Sequence, residues 1–304
     1  MSNAREIVKR RKAVRNIHKI TKVMQMVATA RFQRALKRAK GTRPYLEKLH
    51  DMVQSTFWGA HGSVELSRHP LLVSRMPCRR VGILVVTSNR GLAGGYNGQI
   101  LRLAMQSIRQ IEQAGGAVDI HVAGRKGAAY FRFARREAQA AYTTISDSAR
   151  FEEIIPVAQR LMDDYAAQKI DAIKIIYMRF LSLGQQRPVK VDVLPLTGSE
   201  TAKQAESSAA SGASASRVRA CSEYSPEAGE LLLELVPTMV RAAVFQAFVD
   251  AAVSEQISRM MAMSAATENA DSMNKQLTSE YNRARQSQIT SELSELMGGV
   301  EALK

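Results

Sequence analysis

The residues best placed to do chemistry are the glycines of Asn89-Arg-Gly-Leu-Ala-Gly-Gly-Tyr-Asn-Gly, residues 89–98. A glycine turn between a strand and a helix can offer backbone N–H groups to a phosphate. This cluster fails both standard patterns. No Lys-Ser or Lys-Thr follows its last glycine, and Ala93 stands where a dinucleotide loop needs its second glycine. A structural turn or a protein contact is therefore the better reading. His18, His50, His61, His69 and His121 form no His-Glu-x-x-His or Cys/His cluster, which leaves no metal site. Cys78 and Cys221 are too far apart for a local knuckle and fit a reducing compartment. The carboxylate pairs Glu152/Glu153 and Asp163/Asp164 fit the solvated face of one helix rather than an acid–base pair. No Gly-x-Ser-x-Gly elbow occurs. The expectation is a chain with no catalytic residue, no cofactor and no metal.

What remains is charge. The chain carries a formal net charge of +15 over 304 residues. Residues 1–40 hold thirteen Lys or Arg and a single acid, Glu6. Such a segment faces something acidic: nucleic acid, anionic lipid or an acidic protein surface. An Arg-rich, acid-poor start resembles a transit peptide. However, Ser2 is its only serine and the pattern runs on past residue 36. A mature cytosolic N-terminus is expected. No run of about 18 uncharged apolar residues occurs, so no membrane span is expected.

The elements that position this charge are helices. Residues 1–40 and 238–297 contain neither Gly nor Pro, and both read as long helices. In the first, Val14, Ile17, Ile20, Met24, Val27, Phe32 and Leu36 form an apolar stripe. In the second, Val249, Val253, Met260, Met263, Ala270, Leu277, Tyr281 and Ala284 follow a 3–4 rhythm that Gln256, Thr267 and Asn274 interrupt. Each stripe needs a partner, and the simplest is the other helix, as a coiled coil.

The middle alternates strand and helix. Strands are expected at 81–87, 118–123, 141–145, 172–180 and 189–196, the last two joined as a hairpin across 182–188. Helices are expected at 97–113, 124–132 and 151–167. This alternation reads as an α/β domain over 78–196. Residues 197–222, rich in Ser and Ala, read as a mobile loop. The organisation expected is an N-terminal coiled-coil helix (1–60), the α/β domain (78–196), the loop (197–222) and a C-terminal coiled-coil helix (226–304).

Both ends carry specific sequence blocks. Residues 10–35 read RRKAVRNIHKITKVMQMVATARFQRA, and residues 254–303 contain SRMMAMSAATENA and YNRARQSQIT. With TSNRGLAGGYN (87–97) and GRKGAAYF (124–131), they resemble the gamma-subunit family of the rotary F-type ATP synthase over essentially the whole chain, in order. The resemblance implies a long antiparallel coiled coil of the N- and C-terminal helices with an inserted Rossmann-like α/β domain. It implies a central rotating shaft coupling ion flow through the membrane c ring to ATP synthesis or hydrolysis in the alpha–beta hexamer. The implied partners are the alpha, beta and epsilon subunits and the c ring, without nucleic acid. The implied place is peripheral, on the cytoplasmic face of the bacterial inner membrane.

Contacts carry over by motif. Met24 matches the residue facing the acidic lever loop of the beta subunit. Arg259, Arg285, Gln286, Thr290 and Glu292 match a polar belt that couples rotation to the hexamer. Lys9 to Lys22 complement the acidic loops. Ala93 and Asn89 depart from the family's frequent cysteine and aspartate. The chloroplast-type regulatory insert with its close cysteine pair is missing. The alternative reading is a basic coiled-coil module that binds nucleic acid or an anionic membrane, and co-purifying material separates the two.

Overall fold

The computed structural model describes residues 4–59, 70–71, 75, 78–145, 150–195 and 228–301. The loop expected at 197–222 lies outside the described residues, as do His61, His69 and Cys221. The chain divides into two compact units, Phe32–Ile257 and the combination of Met1–Arg31 with Ser258–Lys304.

In the Phe32–Ile257 unit, the strands are β1 (Arg80–Val86), β2 (Ala117–Ala123), β3 (Ala140–Tyr142), β4 (Ala172–Ser182) and β5 (Gln185–Leu194). They form one sheet in the order β3-β2-β1-β4-β5. The first four run parallel, and β5 returns antiparallel to β4. β1 is flanked on both edges and covered on both faces, so it reads as a continuous apolar run. Its alternate residues divide between the two cores. Ile83 and Val85 pack with Ile100, Ile108 and Phe131, which belong to α2 (Tyr96–Gln113) and α3 (Arg125–Phe133). Leu84 and Val86 pack with Leu161 of α4 (Phe151–Ala166) and Val240 and Val244 of α5 (Ala228–Glu301).

Three expectations change. The hairpin is tighter than expected: only Leu183 and Gly184 separate β4 from β5, and β5 runs from Gln185 through Pro188. Pro188 is tolerated because β5 is an edge strand with one side free of ladder bonds. The third strand is short and ends at Tyr142. Asp164 is buried rather than solvated, and it accepts a hydrogen bond from Lys169 Nζ at 3.2 Å. Its neighbour Asp163 and the pair Glu152/Glu153 are exposed as expected.

α1 (Ala4–Gly59) continues through Gly41 and Pro44. Burial of Leu49, Val53 and Thr56 holds the helix where propensity would end it. Phe32 and Ala39 pack against Val253 and Ile257. α5 continues through Pro237. One window of α5 is long and apolar enough to cross a membrane. Leu232, Val236, Val240 and Val244 of that helix lie in the core beside the sheet.

Candidate functional site

In the unit built from Met1–Arg31 and Ser258–Lys304, α1 and α5 pair antiparallel. Gln25 Nε2 donates to Ser264 Oγ at 3.3 Å, and the Thr21 and Thr267 hydroxyls meet at 2.9 Å. His18 Nε2 lies 3.2 Å from Asp271 Oδ1, and the Arg11 guanidinium sits 4.9 Å over the Tyr281 ring. As the number rises along α1, its partner's number falls along α5. The α1 seam is Ile7, Arg11, Val14, His18, Thr21, Gln25 and Ala28, all buried or partly buried. Steps of four and three are those of a coiled-coil seam. The α5 seam is Met263, Thr267, Ala270, Asn274, Leu277, Tyr281 and Ala284. Thr267 and Asn274, expected to interrupt the rhythm, are members of it.

Of the apolar stripe expected on α1, Val14 lies in the seam but Ile17, Ile20 and Val27 do not. Ile17, Ile20 and Val27 are 52%, 59% and 46% exposed, and Val23 is exposed beside them. A helix in a two-stranded pair has one seam, and the seven-residue step Ile7-Val14-Thr21-Ala28 takes it. The more apolar face is left outward. Signals for this lay in the sequence: the strict heptad of small, β-branched or polar residues, and a second apolar stripe beside it. α5 shows the same surplus. Every residue from 285 to 298 is exposed, including Ile289, Leu293, Leu296 and Met297. With Tyr281 already beside Arg11, α1 has few described residues left to pair with those last turns. A lone helix of about a dozen residues is marginal in water, and its exposed apolar side chains call for an enclosing surface.

The residues picked out by resemblance fall in two places. Met24 is partly buried at the edge of the seam, and Arg259 is buried. Arg285, Gln286, Thr290 and Glu292 are all exposed on the last turns of α5. At 1.5 Å per residue, Arg259 and Arg285 are about 40 Å apart along the helix, so the six residues are not one cluster. Within the belt, Thr290 Oγ1 donates to the Gln286 carbonyl at 2.9 Å, and Gln288 Nε2 donates to Glu292 Oε1 at 2.8 Å. Among the described residues, neither Arg285 nor the Gln286 side chain takes part in a hydrogen bond or ion pair.

The glycine cluster is a structural corner. Asn97 Nδ2 donates to Ser88 Oγ at 2.8 Å, and Asn89 Nδ2 donates to the Ile145 carbonyl at 2.7 Å. The second glycine motif meets it there. Gly127 N donates to Thr87 Oγ1 at 3.0 Å, and a Cβ on Gly124, at φ +99°, would overlap the Thr87 carbonyl. The GRKG segment is therefore glycine-bearing because α3 starts against the end of β1. Ligands of open α/β sheets bind beyond the strand C-termini where the strand order reverses. Here α5 lies at that side. Tyr96 Oη, at the start of α2, donates to the Ala251 carbonyl at 3.2 Å, and Ser254 Oγ donates to the Met178 carbonyl of β4 at 3.1 Å. That packing favours the structural reading of the corner.

Titratable groups elsewhere serve the fold. His121 of β2 is fully buried, and among the described residues neither ring nitrogen has a hydrogen-bond partner. Burial lowers its pKa, against an opposing pull from Asp164. Arg80 is held charged by its hydrogen bonds to Asp119, at 2.8–3.0 Å.

Comparison with known proteins matches this arrangement from end to end. The ATP synthase family profile matches residues 3–303. An ATP synthase gamma chain of Rhodopirellula baltica is 38% identical over 306 residues, covering all of both chains. One of Nitrosomonas europaea is 36% identical over 303 residues, again covering all of both. Among solved structures, a chain of the Euglena gracilis mitochondrial ATP synthase, described as OSCP/F1/c-ring in rotational state 3, aligns with a TM-score of 0.63 at 17% identity. That alignment covers 99% of this chain and 94% of the other. A chain from the central stalk and c ring of the Tetrahymena thermophila enzyme aligns with a TM-score of 0.58 at 18% identity, covering 81% and 99%. At these identities the structural likeness concerns the fold.

Proposed function

The chain belongs to the ATP synthase gamma-chain family, and from that premise we propose that its two-helix unit is the part enclosed by the alpha–beta hexamer. The chain is the central shaft of an F-type ATP synthase, a non-catalytic subunit working with the alpha, beta and epsilon subunits and the c ring. It is part of a membrane-bound complex, on which we assign it a peripheral position at the cytoplasmic face of the bacterial inner membrane. The observation that carries the enclosed position is apolar exposure on two different surfaces. Ile17, Ile20, Val23 and Val27 face outward on α1, and Ile289, Leu293, Leu296 and Met297 on α5. A partner on one side would cover one of these surfaces, whereas a bore covers both.

Within that bore, Met24 faces the acidic lever loop of the beta subunit. Arg285, Gln286, Thr290 and Glu292 form polar contacts that make the hexamer's sites follow the shaft, whereas Arg259 matches that belt by motif but is buried within the chain. What supports this is motif position together with the exposure of Arg285, Gln286, Thr290 and Glu292. The basic face of α1 supplies charge complementary to acidic loops at close range.

Reconstitution tests the reading. Purified chain mixed with alpha and beta chains should elute as one complex of fixed stoichiometry, and ATP hydrolysis should depend on its presence. If the chain instead retains nucleic acid or anionic vesicles, is released from them by salt, and leaves alpha and beta unbound, the reading is wrong.

A further inference from the structure

An open groove along α2, bounded by Tyr130 of α3, has a volume of about 640 Å³ in the Phe32–Ile257 unit. Its floor is Leu101 and Met105 of α2 and Tyr130 of α3, and Arg102 and Arg109 stand on its rim. Gly98, Arg102, Met105 and Arg109 lie at steps of four, three and four along one face of α2. The groove therefore follows the axis of α2. One turn beyond Tyr130, Phe133 is 88% exposed, the most exposed large hydrophobic side chain among the described residues.

The two helices carry five basic residues, Arg102, Arg109, Arg125, Lys126 and Arg132, and one acid, Glu112. α3 carries Arg125, Lys126 and Arg132 and no acid, and Arg135 follows it. All four are exposed, and none forms an ion pair among the described residues. The nearby carboxylate of Glu112 is already taken by Arg136 in a two-pronged pair, with bonds of 2.5 Å and 3.0 Å. A ligand brought here meets the guanidinium groups of Arg102 and Arg109 beside Leu101, Met105 and Tyr130.

We propose that the α2–α3 groove is a docking site for an acidic, amphipathic helical segment of a partner protein. Its apolar stripe covers Met105, Tyr130 and Phe133, and its carboxylates pair with Arg102 and Arg109. This is helix-in-groove recognition, in which spaced apolar anchors set the register. Opposite charge on the rim steers the encounter and selects the partner. A floor set between two helices and rimmed by guanidinium groups suits an amphipathic segment with carboxylates of its own better than a lipid surface.

The test uses the full chain in living cells, with a benzoyl-phenylalanine photocrosslinker in place of Met105. After irradiation the adduct is sequenced by mass spectrometry. An adduct mapped to an Asp- and Glu-rich segment of another protein is expected. Its yield should fall at least tenfold with Arg102→Glu and Arg109→Glu, and several-fold with Phe133→Ser. Lys190→Glu, on the exposed edge strand β5, should leave it unchanged. Both arginines are exposed, so Arg102→Gln and Arg109→Gln serve as milder variants if the charge reversals alter the melt of the free chain. Adducts with lipid alone, an adduct on a neutral or basic segment, a yield indifferent to the arginine substitutions, or no adduct would each overturn the proposal.

Discussion

Thr21 and Thr267 lie hydroxyl to hydroxyl, 2.9 Å apart, in the middle of the α1–α5 seam. Each oxygen also lies near a carbonyl of its own helix, His18 at 3.0 Å and Met263 at 2.7 Å. Two hydroxyls supply two protons for three contacts, so one O–H bridges the helices while the other turns back. A polar seam of this kind fixes register at little gain in stability.

The pair should therefore be non-additive. Thr21→Val or Thr267→Val alone should cost about 1 kcal/mol by leaving a buried hydroxyl without its cross-helix partner. The double variant should cost less than the two losses added, because two apolar groups of the same shape then meet. Urea unfolding of the four proteins measures the coupling, and strict additivity would refute it.

Two glycines should respond in opposite directions. Gly124→Ala puts a methyl onto the Thr87 carbonyl at a φ of +99°, so a loss of at least about 3 kcal/mol is expected. Gly98→Ala, in α2 with nothing within 4 Å of the added carbon, should gain up to about 1 kcal/mol from helix propensity. Comparison of the two melting temperatures with the parent decides this. Equal effects would mean that the corner is not the constraint described.

Acid should weaken the sheet through His121. Its folded pKa lies below its ordinary value because burial disfavours the charged ring. The unfolded chain titrates near the ordinary value of about 6.5. The contribution is thus complete above that pH. It falls as the pH drops toward the lower folded value, because the unfolded chain binds a proton that the folded chain refuses. His121→Leu should flatten the decline in urea midpoint between pH 7.5 and 5.5, and parallel curves for the two proteins would count against it.

The sheet was legible because its signals are local. The run 81–86 is apolar without interruption, as a strand buried on both faces must be, and the β4–β5 hairpin sits between two β-rich runs. The turn of that hairpin was less legible, since Pro188 suggests a loop and only the free edge of β5 allows it in a strand. The coiled coil was legible as two helices, and its α5 seam largely so, since Met263, Ala270, Leu277, Tyr281 and Ala284 lie in it, but most of the α1 seam was not. Thr21, Gln25 and Thr267 face inward while Ile17 and Ile20 face outward, the reverse of what hydrophobicity alone selects. The outward stripe is set by a surface beyond this chain, which its own periodicity does not encode. The belt at 285–292 was found by motif likeness. On the helix surface it is indistinguishable from a solvated face, so its role rests on that likeness.

The outward stripe on α1 offers a test that separates folding from assembly. Ile20 is 59% exposed, so Ile20→Ser should change the stability of the free chain by no more than about 0.5 kcal/mol. It should nonetheless reduce the yield of reconstituted alpha–beta complex several-fold, because the lost contact exists only there. Gel filtration of the mixture reads the yield. A normal yield would place Ile20 outside any enclosed surface.

The belt is tested last. Arg285, Gln286, Thr290 and Glu292 span about two turns of α5, so they do not share one stripe. Thr290 and Glu292 each have a hydrogen bond within the helix, whereas the Arg285 and Gln286 side chains do not. On a free helix end, replacing either of the latter two should be bland. Inside a bore, a hydrogen bond to a charged partner contributes about 1.5–3 kcal/mol. Arg285→Ala and Gln286→Ala should therefore slow ATP hydrolysis and synthesis by assembled enzyme several-fold without releasing the subunit, since the apolar surfaces still hold it. Thr290→Ala should do less, because its hydroxyl already donates to the Gln286 carbonyl. Steady-state rates in both directions, with subunit content measured on the same samples, check the order of these effects. Parental rates for both Arg285→Ala and Gln286→Ala, at normal assembly, would show that the belt transmits no torque.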